Sequence, residues 1–318
     1  TSGDTGSAAI AACVGRPNLD VVVLHPAGRV SEVQRRQMTT VDAPNVHNVA
    51  IEGTFDDCQD LLKALFADED LRRRVGLSAM NSINWARVAA QVVYYVLAAA
   101  AAGPCEVAVP TGNFGNILAG WIARRSGAPI ERLVIGSNRN DILTRWARTG
   151  ELVRSEVVPT LSPSMDIQVS SNHERLLFEL LGRDPRATAE LMERFRAVGS
   201  VEAPVDPAFV AASLDDDATL EVIADLYRRT GYLADPHTAV GIGAARACRS
   251  DGGRDDLPLV CMATAHPAKF PDAVERATGV RPALPDHLAD LHDRPERYEV
   301  LPADLDAVRA HVLACAAR

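Results

Sequence analysis

Between the apolar run Glu106 to Pro110 and the helical stretch Ile117 to Arg125 lies Pro110-Thr111-Gly112-Asn113-Phe114-Gly115-Asn116, a turn carrying two glycines, two amides and a hydroxyl. Such a turn aims backbone N–H groups at a phosphate-sized anion, and the dipole of the following helix adds a favourable field. It is no Walker loop, since no Lys-Ser/Thr pair follows, and it lacks the third glycine of a dinucleotide fingerprint. The competing reading is a tight strand-to-helix turn that holds nothing.

Three further segments carry chemistry of the same kind. Thr1-Ser2-Gly3-Asp4-Thr5-Gly6-Ser7-Ala8-Ala9 reads as a small-residue loop entering an Ala-rich helix. It offers hydroxyls, N–H groups and a helix dipole to an anion, or else is an ordinary capped helix start. Asn81-Ser82-Ile83-Asn84-Trp85-Ala86-Arg87 opens a long apolar helix. With Ser82 or Asn84 as cap, Arg87 falls in the first turn, where a cation opposes the dipole unless an anion sits beside it. A surface ion pair is the plainer alternative. In Ala263-Thr264-Ala265-His266-Pro267-Ala268-Lys269-Phe270 the hydroxyl of Thr264 follows a strand, where α/β proteins hold ligands. His266 reads as a general base or as a structural residue of a turn.

Alternating strands and helices must position these groups. Val21 to Leu24 is a short strand, about Ser31 to Thr39 a charged helix, and Val46 to Ile51 another strand. Residues 55–74 read as one acidic-then-basic helix and 85–102 as a long apolar helix. Strands at Glu106 to Pro110 and Arg132 to Gly136 flank the helix Ile117 to Arg125. From about 155 to 231 the chain turns charged and helical, with helices at Arg175 to Leu181 and Ala187 to Ala197, and is expected to be a helical insertion. The sheet resumes at Leu257 to Ala263, and a last helix spans Ala303 to Ala317. This cadence predicts an α/β protein with a mostly parallel sheet covered by helices on both faces.

Composition narrows the partners. The chain has 318 residues, 47% of them hydrophobic, which is enough for two domains with cores of their own. A net charge of −9 argues against nucleic acid as a partner. The Ala-rich 98–102 stretch ends at Gly103-Pro104, so no apolar run of about 18 residues and no membrane partner is expected. Cys13, Cys58, Cys105, Cys248, Cys261 and Cys315 are widely spaced with no CxxC pair, and read as reduced core thiols of a cytoplasmic protein. No metal is expected.

The chain resembles the threonine synthases of many bacteria and of fungi. The resemblance runs through TSGDTGSAA at 1–9, HPAGRVSEVQ at 25–34, NSINWAR at 81–87, TGNFGN at 111–116 and NRNDILTR at 138–145. It continues through SPSMDIQVSSNHERLLFE at 162–179, ADPHTAVG at 234–241 and TAHPAKF at 264–270. The resemblance implies the tryptophan-synthase-β-like fold (fold type II) and a lyase that uses pyridoxal 5′-phosphate to turn O-phospho-L-homoserine and water into L-threonine and phosphate. It implies residues 1–78 as the remainder of a small N-terminal α/β domain and 79–318 as a large cofactor domain. Gly112, Asn113, Phe114, Gly115 and Asn116 would cradle the cofactor phosphate, with Thr264 facing the pyridine nitrogen and Asp4 near the phenolic oxygen. Ser2 and Thr5 would hold the substrate carboxylate, and Asn81, Ser82, Asn84 and Arg87 its phosphate.

Family members carry their Schiff-base lysine upstream of the SGDTG loop, in a Phe-Lys-Asp-like motif. The chain has two lysines, Lys63 and Lys269, and neither matches that position. A C-terminal fragment is therefore expected, inactive alone, whose lysine comes from an N-terminal segment in cis or in trans. Two alternatives remain open at this stage: a serine or threonine dehydratase of the same fold, and a lysine-less binding or regulatory protein.

Overall fold

The computed structural model describes residues 1, 3–81, 84–252 and 254–316, and divides into two compact units. The first comprises Thr1–Asn81 and Ala283–Arg318, the second Ser82–Pro282. Along the chain the first unit begins with α1 (Asp4–Cys13), β1 (Val21–Pro26), α2 (Glu32–Thr39), β2 (Val46–Glu52), α3 (Phe55–Ala67) and α4 (Glu69–Val75). The second contains α5 (Trp85–Ala102), β3 (Cys105–Pro110), α6 (Gly115–Arg125), β4 (Ile130–Ser137), α7 (Ile142–Thr149) and β5 (Glu151–Val153). It continues with α8 (His173–Leu180), α9 (Pro185–Val198), β6 (Ser200–Glu202), β7 (Phe209–Ser213), α10 (Asp216–Thr230), α11 (Pro236–Ser250), β8 (Leu259–Cys261) and α12 (Pro271–Thr278). The chain then returns to the first unit with β9 (Glu299–Pro302) and α13 (Leu305–Ala316).

In the first unit β1, β2 and β9 form a parallel sheet in that order. Val21 and Val23 of β1 pack with Ile10 and Met38 from α1 and α2, whereas Val22 and Leu24 lie against the cluster of Leu61, Leu65, Leu71, Val308 and Val312. The period of two along the strand thus sorts α1 and α2 to one face and α3, α4 and α13 to the other.

The second unit has a four-stranded parallel sheet of order β7-β4-β3-β8. Val107, Val109, Leu133, Ile135, Phe209 and Ala211 belong to the core on the α5–α9 side. Ala108, Val134 and Ala212 pack on the opposite face against Val240, Ala244 and Ala245 of α11. Helices on both faces of a parallel sheet are the arrangement that the alternation predicts.

Four expectations are corrected. Residues 283–318 do not continue the second domain: β9 pairs with β2, and Val308 and Val312 of α13 fill the first unit's core. The 155–231 stretch is not purely a helical insertion, because β6 pairs antiparallel with β5 and β7 is a sheet strand beside β4. The 55–74 helix is two helices, separated where Asp68 leaves helical geometry and its carboxylate accepts from Leu71 N–H to cap α4. Finally, α5 is 18 residues long with a mean hydropathy of 1.3, so by length and composition it does qualify to cross a membrane. One face of α5 packs on the core through Val88, Tyr95 and Ala99, with Tyr95 against Gly120 of α6, but only 17% of the helix is buried and Val93, Tyr94, Val96 and Leu97 are exposed.

Candidate active site

The second unit's chain runs from β3 through β4 to β7 on one side, and β8 joins the other side of β3. The strand order therefore reverses between β3 and β8, and the crevice outside the C-terminal ends of those strands is where such sheets hold ligands. Loop 111–116 leaves β3 at this edge. Ala108 pairs with Cys261, and Met262 N–H donates to Ala108 C=O at 2.9 Å, so the segment leading to Thr264 leaves β8 at the same edge.

The loop is fixed by its carbonyl side. Gly112 C=O accepts from Ser170 Oγ at 2.9 Å, and Asn113 C=O accepts from Asn172 N at 3.1 Å and Nδ2 at 3.0 Å. Asn113 Oδ1 accepts from Ser171 Oγ, and Asn116 Oδ1 accepts from Tyr95 Oη at 2.8 Å. The first backbone bond of α6 is Leu118 N–H to Phe114 C=O. Among the described residues, the N–H groups of Gly112 through Ile117 have no protein acceptor. A row of donors at a helix N-terminus, its carbonyls already engaged, fits the dianionic phosphate of a cofactor such as pyridoxal phosphate.

Neither Gly112 nor Gly115 takes a left-handed angle in this turn. The left-handed residue is Phe114, at φ 63°, which is uncommon for an aromatic side chain and costs about 1–3 kcal/mol. Packing compensates: the Phe114 ring is 1% exposed, edge-on to His173 at 5.0 Å and to Trp146 at 6.3 Å. Gly112 is demanded by contact instead, because a Cβ there would lie 2.5 Å from the Ser164 carbonyl oxygen. The roles of Ser170, Ser171, Asn172 and Tyr95 were not assigned from sequence. The first three sit inside the 162–179 motif, which was the available signal.

Asn84 caps α5: its Oδ1 accepts from Ala86 N–H at 3.0 Å. Arg87 is the third helical residue, half-buried, and burial lowers the pKa of its guanidinium below the usual arginine range. A half-buried cation at the positive end of a helix is a favourable place for an anion. Thr264 is exposed, and its N–H donates to Thr238 Oγ1 at 3.2 Å. Asn81 is a half-buried residue in a bend that closes the first stretch of the first unit.

In that first unit, Asp4 and Thr5 are the opening residues of α1, so the helix starts earlier than the loop reading implied. Asp4 Oδ1 accepts from Gln34 Nε2 at 3.1 Å, and Gly3 precedes it at φ 119° with no room for a Cβ, which would meet Gln34 at 2.6 Å. Ser2 and Ser82 lie outside the described residues. His266 is a turn residue: its Nδ1 accepts from Ala268 N–H at 3.2 Å, capping the single turn Pro267–Lys269. Lys63 is exposed and ion-paired with Asp60 at 2.9 Å, a setting unlike the desolvated one a Schiff-base amine needs.

Comparison with known proteins places these observations. The family description "Pyridoxal-phosphate dependent enzyme" matches residues 1–264, and "Threonine synthase, C-terminal" matches residues 238–312. The threonine synthase of Pseudomonas aeruginosa is 52% identical over 323 residues, spanning 98% of this chain and 68% of that protein. The crystal structure of pyridoxal-phosphate-bound threonine synthase from Brucella melitensis superposes with a TM-score of 0.89 at 46% identity, covering all of this chain and 70% of the other. Yeast threonine synthase does so at 0.88 and 36%, again covering all of this chain and 69% of the other. The fold is therefore that of the fold-type-II enzymes, and pyridoxal phosphate is the cofactor. At 52% identity over 98% of its length to one threonine synthase, and with the threonine synthase C-terminal description matched as well, the chain belongs to the threonine synthase family.

Proposed function

We propose that this chain is the larger part of an enzyme that removes phosphate from O-phospho-L-homoserine by γ-elimination and adds water at the β-carbon to give L-threonine. The observation that carries the reading is the row of N–H donors from Gly112 to Ile117 at the β3/β8 edge, in a chain 52% identical to a threonine synthase. A pyridoxal phosphate held there would supply an electron sink for the substrate's α-carbon. Loop 112–116 holds its phosphate. Thr264 would offer a hydroxyl to the pyridine nitrogen, and a neutral hydroxyl, unlike a carboxylate, would leave that nitrogen unprotonated.

The substrate's phosphate is the leaving group, and Arg87 is the residue assigned to hold it, together with Asn81, Ser82 and Asn84, on the strength of the family resemblance. A guanidinium fork neutralises the charge that the departing phosphate gains. Ser2 and Thr5 are assigned to the substrate carboxylate, and Asp4 to the neighbourhood of the cofactor's phenolic oxygen. Neither Lys63 nor Lys269 occupies the family's Schiff-base position, so the chain by itself is inactive. The amine is supplied by an N-terminal segment in cis or in trans.

The test uses the enzyme completed with a lysine-bearing segment. Arg87→Ala removes a charge-assisted bond worth about 1.5–3 kcal/mol and lowers kcat/KM for O-phosphohomoserine about 10–150-fold. Cofactor affinity stays unchanged. A loss confined to cofactor affinity would remove Arg87 from the substrate site and reopen the dehydratase reading, since a dehydratase has no substrate phosphate to hold.

A further inference from the structure

The ADPHTAVG segment at 234–241 opens α11 and is assigned to none of the functions above. Asp235 is 1% exposed, His237 4% and Thr238 3%. Asp235 caps the helix, accepting from the N–H groups of His237 and Thr238. Its two oxygens also engage two side chains: Oδ1 lies 3.0 Å from His237 Nδ1, and Oδ2 accepts from the Thr238 hydroxyl.

Each of those side chains reaches a different wall of the cofactor crevice. His237 Nε2 accepts from Ser164 N–H at 3.2 Å, so this nitrogen carries no proton and the ring is the neutral form with its proton on Nδ1, toward Asp235. Ser164 in turn presents the carbonyl that fits only because residue 112 is glycine. Thr238 Oγ1 gives its proton to Asp235 and accepts the N–H of Thr264 at 3.2 Å. The hydroxyl can do both because it is donor and acceptor at once.

We infer that Asp235 is a positioning residue for the cofactor, setting the phosphate end through His237, Ser164 and Gly112 and the pyridine end through Thr238 and Thr264. A single buried carboxylate thereby fixes the spacing between the loop that receives the phosphate and the hydroxyl that meets the ring nitrogen. The inference rests on the cofactor site proposed above. It goes further in making the two ends separable by mutation.

Pyridoxamine 5′-phosphate, which needs no lysine, is the probe, titrated on the full 318-residue chain by quenching of tryptophan fluorescence. Inorganic phosphate, as its competitor, reports the phosphate end alone. Thr238→Val deletes the hydroxyl that orients Thr264 and weakens pyridoxamine phosphate about tenfold, the size of one oriented hydrogen bond, while phosphate competes as before. Thr238→Ser, which keeps the hydroxyl, restores binding. His237→Phe keeps a ring beside Phe270 but removes the acceptor, and weakens both probes together. If Thr238→Val does not fold, Thr238→Ala removes the hydroxyl without bulk and carries the same expectation. Equal binding by wild type and Thr238→Val, or parallel loss of both probes that Thr238→Ser fails to restore, overturns the inference. A wild-type chain that binds neither probe overturns the cofactor site itself, and the inference with it.

Discussion

Gly112→Ala is a test of why the loop has the shape it has. The added methyl would sit 2.5 Å from Ser164 O and 3.2 Å from Met165 Cα, both backbone atoms, so no side-chain rotation relieves the clash. Nor is that backbone free to retreat. Ser164 N–H is bound to His237, and Asp166, two residues on, accepts from Asn138 Nδ2 at 2.8 Å, Thr160 Oγ1 at 2.7 Å and Thr160 N at 2.9 Å. Overpacking of one methyl against a fixed wall costs about 1–3 kcal/mol. For a unit of this size that lowers Tm by roughly 2–12 °C. Because the displaced loop is the one that presents N–H groups 112–117, pyridoxamine 5′-phosphate affinity falls in the same variant. Gly28→Ala is the control. Gly28 has φ 68° with nothing within 4 Å of a Cβ, so only the left-handed backbone cost of about 1 kcal/mol applies, and ligand affinity is unaffected. Thermal unfolding and probe titration of both variants decide the matter. An unchanged Tm and unchanged affinity in Gly112→Ala would refute the close-contact argument.

Three more outcomes are expected. Phe114→Ala removes a buried ring at a left-handed position and costs about 3–5 kcal/mol by denaturant unfolding; a cost under about 1 kcal/mol would mean that the aromatic cluster does not compensate the backbone strain. Glu106, 1% exposed, bridges Arg132 and Arg249 (Nε at 2.8 Å), so Glu106→Gln leaves two partly buried cations facing an amide and destabilises by about 3–5 kcal/mol; a neutral effect would show the triad to be solvent-screened. Burial pushes His25 down to about 4 and His173 down to about 3, so the unfolded chain binds more protons than the native one below about pH 6.5. Stability contributed by each neutral ring is complete above that pH and falls as the solution is acidified, by about 2 kcal/mol per histidine at pH 5. Unfolding at pH 7.5 and pH 5 checks this: His173→Phe abolishes its share of the difference, and an undiminished difference would exclude His173 as a source.

Much of the architecture was legible because period and punctuation agreed. The helix 85–102 has a polar cap at Asn84 and a Gly-Pro stop, and the structure keeps both ends. β7 was hidden by its own chemistry. Phe209-Val210-Ala211-Ala212 is short, small and flanked by charged helices, and it becomes a strand only because β4 lies beside it. β9 is likewise four residues in a Pro- and Asp-rich tail, recruited by pairing 250 residues away, Val49 with Glu299. At the site, the turn at 112–116 could be read from its glycines, but the sequence could not reveal that the contact partner of Gly112 is Ser164. Nor could it show that Phe114 takes the left-handed angle. Both depend on tertiary packing. The links of Asp235 are equally tertiary, since an Asp-Pro-His-Thr string reads as an ordinary helix start until Ser164 and Thr264 arrive beside it.

The most direct test of the central claim is simultaneous measurement of threonine and phosphate released from O-phospho-L-homoserine, by the chain alone and by the chain joined to a segment bearing the family's lysine motif. The chain alone is expected to release neither product and to form no borohydride-reducible adduct with pyridoxal phosphate. The joined protein releases threonine and phosphate one for one. Turnover by the chain alone with a stoichiometric adduct at Lys269, or a joined and cofactor-loaded protein that releases no threonine, would contradict it.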